Sequence, residues 1–100
     1  MEIREIKDDP VIRQVMQLAG NYGFRKIVLF GSRARGDHSS VSDYDFAFYG
    51  DNVSELDKSC FSVEVEDVST LKKIDIVFID HLTPAELLNN ISSEGVILYE

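Results

Sequence analysis

Asp43 and Asp45 stand two positions apart in the stretch FGSRARGDHSSVSDYDFAF, residues 30–48, and their spacing is the strongest chemical signal in the chain. On an extended segment, side chains two positions apart share a face, roughly 6–7 Å from one another. Two carboxylates that close repel unless a cation lies between them. Their hard oxygens suit Mg²⁺ or Mn²⁺. Taken alone, Asp-x-Asp is a common pattern and equally describes two solvated groups on an edge strand. Asp75 shifts the balance, because it interrupts the apolar run IDIVFI (residues 74–79). A lone carboxylate on a buried strand is costly unless it is paired or bound to metal. Three aspartates on two strands therefore outline a metal site.

Gly31 and Ser32 precede the aspartate pair and follow the apolar run KIVLF. A turn of this kind leads from a strand into a helical turn whose first N–H groups have no partner within the helix. Such groups favour an anion, and glycine lets a phosphate approach the backbone closely. The stretch is not a Walker A loop. Gly31 and Gly36 have the spacing, but Asp37 and His38 occupy the positions that would need Lys and Ser or Thr.

The elements that must position these groups are legible from patterning. Asp9-Pro10 reads as an N-cap and first helical residue, followed by Val11, Val15, Leu18 and Tyr22 at helical spacing. Gly20 and Gly23 mark its end. KIVLF is a buried strand, SRARG a short helical turn and DHSSVS a polar loop. DYDFAFYG alternates, with Tyr44, Phe46 and Phe48 on one face and Asp43, Asp45 and Ala47 on the other. DNVSELDKSC reads as loop running into helix. FSVEVEDVSTL fits either a helix or a strand, and its Phe61, Val65, Val68, Leu71 spacing favours the helix. KIDIVFID reads as a strand from Lys73 to Ile79, with the apolar run of a core strand. Thr83-Pro84-Ala85-Glu86 fits a capping box that opens a helix with Leu87, Leu88 and Ile91 on its apolar side. Gly95 closes that helix, and VILYE is a last strand. The order predicts an α/β (α+β) fold, a small sheet flanked by helices, in one domain over residues 1–100.

Composition narrows the function. The net charge is -8, which argues against direct nucleic-acid binding. The basic residues Arg25, Lys26, Arg33 and Arg35 flank the aspartate stretch and suggest a phosphate nearby. No run of residues is long or apolar enough to span a membrane. The N-terminal residues carry no apolar signal-peptide core. Cys60 is the single cysteine, so no internal disulfide forms; this fits a cytoplasmic protein, with Cys60 as a small buried residue. His38, His81 and Asp80 read as loop and turn residues.

Gly31-Ser32, ten intervening residues and then Asp43-Tyr44-Asp45, with Asp75 on the next strand, resemble the signature of the DNA polymerase β-like nucleotidyltransferase superfamily. Within it, the chain is similar to the minimal nucleotidyltransferases, which implies a small mixed sheet with flanking helices. That resemblance implies transfer of a nucleoside monophosphate, most simply AMP from ATP, with two Mg²⁺ ions or Mn²⁺ in their place. It implies that Ser32 and the Gly31 backbone hold the outer phosphates and that Asp43 and Asp45 bind both metals. Asp75 would bind the catalytic metal and favour deprotonation of the incoming hydroxyl. Arg33 and Arg35 would steady the triphosphate. It further implies a role as antitoxin to a helical HEPN-type ribonuclease toxin that receives AMP on tyrosine. Two other functions compete: modification of a small molecule such as an aminoglycoside, with a separate substrate-binding chain, and a non-enzymatic nucleotide-binding partner protein. A base- or acceptor-gripping domain is missing, so a second chain or another copy of this one would supply it.

Overall fold

The computed structural model describes residues 6, 8–35, 43–50, 52–68 and 72–100. Helix α1 (Pro10–Ala19) starts where the sequence places it. The Asp9 Oδ1 accepts hydrogen bonds from the Val11 amide at 2.8 Å and the Ile12 amide at 3.3 Å, and Pro10 occupies the first turn. Its buried stripe is Val11, Ile12, Val15 and Ala19. The chain leaves through Gly23, whose φ of +76° suits glycine, and enters β1 (Lys26–Phe30).

The single-turn helix α2 (Ser32–Arg35) follows, then β2 (Tyr44–Tyr49). Residues 55–66 form one continuous helix, α3 (Glu55–Glu66), capped by the Ser54 hydroxyl on the Asp57 amide at 3.1 Å. The strand alternative for FSVEVEDVSTL therefore fails, and the Phe61–Val65–Val68 spacing locates the buried side while Val63 is exposed. Leu71 lies outside the described residues. Strand β3 (Ile74–Ile79), helix α4 (Ala85–Glu94) and β4 (Val96–Tyr99) complete the order.

The four strands form a mixed sheet in the order β3-β2-β1-β4. Strand β1 is antiparallel to both β2 and β4, and β2 is parallel to β3. One face carries the main core, where Phe24, Phe46, Phe48 and Phe61 gather under α1 and α3. Phe48 and Phe61 meet edge to face with ring centres 4.9 Å apart, a favoured aromatic geometry. The opposite face has a smaller core of Val28, Ala47 and Ile91, with Leu87 packed beside it, so α4 covers this side.

Three expectations change. β3 is an edge strand, half-buried along its whole length, and not a core strand. Cys60 is exposed, because α3 turns it away from Phe61 and Val65. The Thr83 capping box does not form. Pro84 is the cap residue with no side-chain cap bond, and the Thr83 hydroxyl instead accepts the Asp80 amide at 2.9 Å, in the turn before the helix.

Candidate active site

Asp45 and Asp75 are register partners on the parallel strands β2 and β3. Registered residues in a sheet project to the same face, so these two carboxylates stand side by side. Asp45 also pairs with Phe30, the last residue of β1. The face they share is the one α4 covers at Val28 and Ala47. Ala47 is two positions beyond Asp45, so the aspartates lie at the end of that face where β1 leaves the sheet.

Gly31 makes this corner possible. Its φ is +76°, the left-handed region that side chains disfavour. A Cβ built there would collide with the Asp45 Oδ2, and it would stand 3.2 Å from the Asp45 carboxyl carbon. The Gly31 turn and the Asp45 carboxylate are therefore packed together, as the sequence spacing requires. Asp43 is exposed and immediately precedes β2. The Tyr44 amide donates to the Lys73 carbonyl at 3.0 Å, which extends the β2–β3 pairing to the start of the site.

Asp75 is not a stranded carboxylate. Its side chain is 39 % exposed, and the Lys73 ammonium lies 3.4 Å from its Oδ1. The edge position of β3 lets water and Lys73 share the charge, which corrects the burial argument made from the apolar run. Patterning did not single out Lys73, although it stands two positions before Asp75, just ahead of β3. An open cavity of about 380 Å³ runs along this edge, lined by Ser62, Glu66, Lys72, Lys73 and Asp75 among others. Neither Asp43 nor Asp45 lines it.

A hard cation suits this donor set of carboxylate oxygens. Asp45 and Asp75 are adjacent by register. Among the described residues, however, no three His, Cys, Asp or Glu side chains converge closely enough to hold a metal as the chain stands.

Arg33 lies in the core and does not reach toward open solvent. It is 4 % exposed, its guanidinium carbon sits 3.9 Å from the centre of the Tyr44 ring, and its Nη1 is 3.9 Å from the Asp9 Oδ2. Burial directs the guanidinium at Asp9 and Tyr44. Arg25 and Lys26 also leave the expected basic cluster. Both sit over the Tyr49 ring, at the opposite end of β1 from Gly31. The side chains of Ser32 and Arg35 lie outside the described residues, as do residues 36–42 with His38.

Residues 13–100 match the family model described as polymerase beta, nucleotidyltransferase. No curated protein sequence matches the chain. Among solved structures, the chain resembles a toxin–antitoxin complex with AMP-PNP, at 18% identity and a TM-score of 0.70, over 87% of this chain and 71% of that one. It resembles a double Asp-to-Glu mutant of the toxin–antitoxin MntA-HpeT at 16% identity and a TM-score of 0.68, over 87% and 71% of the two chains. A Sulfolobus solfataricus protein described as a nucleotidyltransferase matches at 20% identity and a TM-score of 0.60, over 98% and 82%. At these identities the likeness is one of fold.

Proposed function

Because the chain belongs to the polymerase beta nucleotidyltransferase family, we propose that it transfers AMP from ATP to a hydroxyl of a partner protein, as the antitoxin of a toxin–antitoxin pair. The observation that carries this reading is the pairing of Asp45 with Asp75 beside the Gly31 turn. Two neighbouring structures that share the fold are of toxin–antitoxin proteins, and one was solved with AMP-PNP. The double Asp-to-Glu mutant alters two aspartates two positions apart, the spacing of Asp43 and Asp45.

Asp43, Asp45 and Asp75 would hold two divalent cations, Mg²⁺ or Mn²⁺, which when bound neutralise charge on the attacking and leaving oxygens of an in-line displacement. The chain's own residues position the reactants. The Gly31 backbone and the Ser32 hydroxyl seat the outer phosphates. Asp75 orients the incoming hydroxyl and favours loss of its proton. Attack at the α-phosphorus forms the new ester bond and expels pyrophosphate.

The partner is a helical HEPN-type protein. A net charge of -8 favours a basic partner, and ribonucleases that hold RNA phosphates are of that kind. The exposed lone thiol of Cys60 suits a reducing cytoplasm. The test is to incubate the purified protein with ATP labelled on the α-phosphate, Mg²⁺ and the protein encoded beside it. The expected result is AMP on a hydroxyl of that partner, on tyrosine first. Label that enters only from the γ-phosphate, or that reaches only small molecules, overturns the proposal.

A further inference from the structure

Asp9, Arg33 and Tyr44 come from three separate elements and meet at one buried point. The Asp9 Oδ1 caps α1 through the Val11 and Ile12 amides. Its Oδ2 accepts the Tyr44 hydroxyl at 2.8 Å and faces the Arg33 guanidinium at 3.9 Å. The guanidinium in turn lies over the Tyr44 ring. Both oxygens of Asp9 are thus engaged. Arg33 is 4 % exposed and Tyr44 2 % exposed.

Each partner of Asp9 borders a residue of the candidate active site. Arg33 follows Ser32 in α2, and Tyr44 lies between Asp43 and Asp45. Neighbours on a strand point to opposite faces, so holding the Tyr44 side chain on the core side sets the pleat that aims Asp43 and Asp45 the other way. A planar guanidinium stacked on a ring and faced by a carboxylate has one preferred orientation, whereas an aliphatic side chain in the same space would have several. A buried charge is destabilising unless it is paired, and this arrangement commits two of them between the turn and the strand of the site.

We propose that Asp9 is a positioning residue for the nucleotide site: through Arg33 and Tyr44 it ties the Gly31–Ser32 turn to the end of β2 that bears Asp43 and Asp45. This inference rests on the nucleotidyltransferase reading of that site. Coupling between two places is reciprocal. If Asp9 positions the site, a bound nucleotide must also tighten the cap that Asp9 makes on α1.

The test uses Tyr44→Phe, which deletes the hydroxyl but keeps the ring under Arg33, and Asp9→Asn, which keeps a capping oxygen but removes the charge. Each variant and the wild type are titrated calorimetrically with a non-hydrolysable ATP analogue and Mg²⁺, with thermal melts in parallel. Amide exchange at Val11 and Ile12 is measured with and without the analogue. The expected result is a folded Tyr44→Phe protein that binds about two- to ten-fold more weakly, the range of one hydrogen bond. In the wild type the two amides exchange more slowly once the analogue binds, and in Tyr44→Phe this slowing is diminished. A folded Tyr44→Phe protein with wild-type affinity and an unchanged exchange response overturns the proposal, whatever the fate of Asp9→Asn. A wild type that binds no nucleotide overturns the functional reading, and this inference falls with it.

Discussion

The Asp45 carboxylate lies against the Cα of Gly31, so closely that a methyl group on Gly31 would overlap it. The Gly31 turn and the start of β2, the two parts of the candidate site, are thus one packed unit. Neither can move without the other.

Gly31→Ala tests that unit. The left-handed backbone costs a side chain about 1–2 kcal/mol, and displacing Asp45 adds to it. At roughly 4–8 °C per kcal/mol for a domain of this size, the melting temperature should fall by at least several degrees. Nucleotide binding by calorimetry should be lost in the fraction that remains folded. A folded Gly31→Ala protein with wild-type affinity would mean that the contact has no role in binding.

Asp43→Asn with Asp45→Asn should abolish binding of the ATP analogue in the presence of Mg²⁺ or Mn²⁺, because both variants remove anionic ligands without removing side-chain volume. Circular dichroism should show the fold retained. Affinity equal to the wild type would remove these two residues from the site.

Asp75→Asn separates chemistry from stability. The partner of Asp75 is a largely exposed lysine, Lys73, whose side chain is 70 % exposed. Exposed pairs contribute about 0–1 kcal/mol, and relief of repulsion from Asp45 acts in the opposite sense. The melting temperature without metal should therefore stay within a few degrees of the wild type, while AMP transfer is abolished. A collapse in stability would reveal a structural role that the Lys73 pair does not account for.

Alkaline pH reports on the Asp9 cluster. The Tyr44 phenol is pushed up to about 12, first by burial and then by its hydrogen bond to Asp9. Tyr22 is also pushed up to about 12, first by its hydrogen bond to Glu64. A proton held more tightly in the folded state stabilises fully below the unfolded value of 10.0, and that contribution is lost as pH rises through about 12. The denaturant midpoint should hold up to about pH 10 and fall between there and about 12. In Tyr44→Phe the fall should be shallower, with Tyr22 supplying what remains. An equally steep fall in Tyr44→Phe would place the responsible protons elsewhere.

Much of this molecule is legible in its amino-acid pattern. Asp9-Pro10 marks the start of α1, alternation from Tyr44 to Phe48 marks β2, and the Gly31 to Asp45 spacing marks the corner of the candidate site. These signals are local. A cap, a period of two and a turn glycine depend on residues a few positions apart, so the chain itself carries them. The misreading of β3 has the opposite property. IDIVFI is apolar enough for a core strand, but whether a strand lies at the centre or the edge depends on which neighbours pair with it. The Thr83 hydroxyl had two local acceptor roles available, and the turn at Asp80 took it.

By itself, then, the sequence determined most of the helices and strands and the family, and it nominated the aspartates, because each of these readings rests on residue types and short spacings. Tertiary structure alone decided that Asp45 and Asp75 are neighbours, through the parallel register of β2 with β3. It alone turned Arg33 inward to Asp9 and Tyr44. Asp9 and Tyr44 are 35 positions apart, and no local pattern links them. What joins them is the burial of α1 against the sheet, which removes water from a guanidinium, a phenol and a carboxylate and leaves them one another as partners.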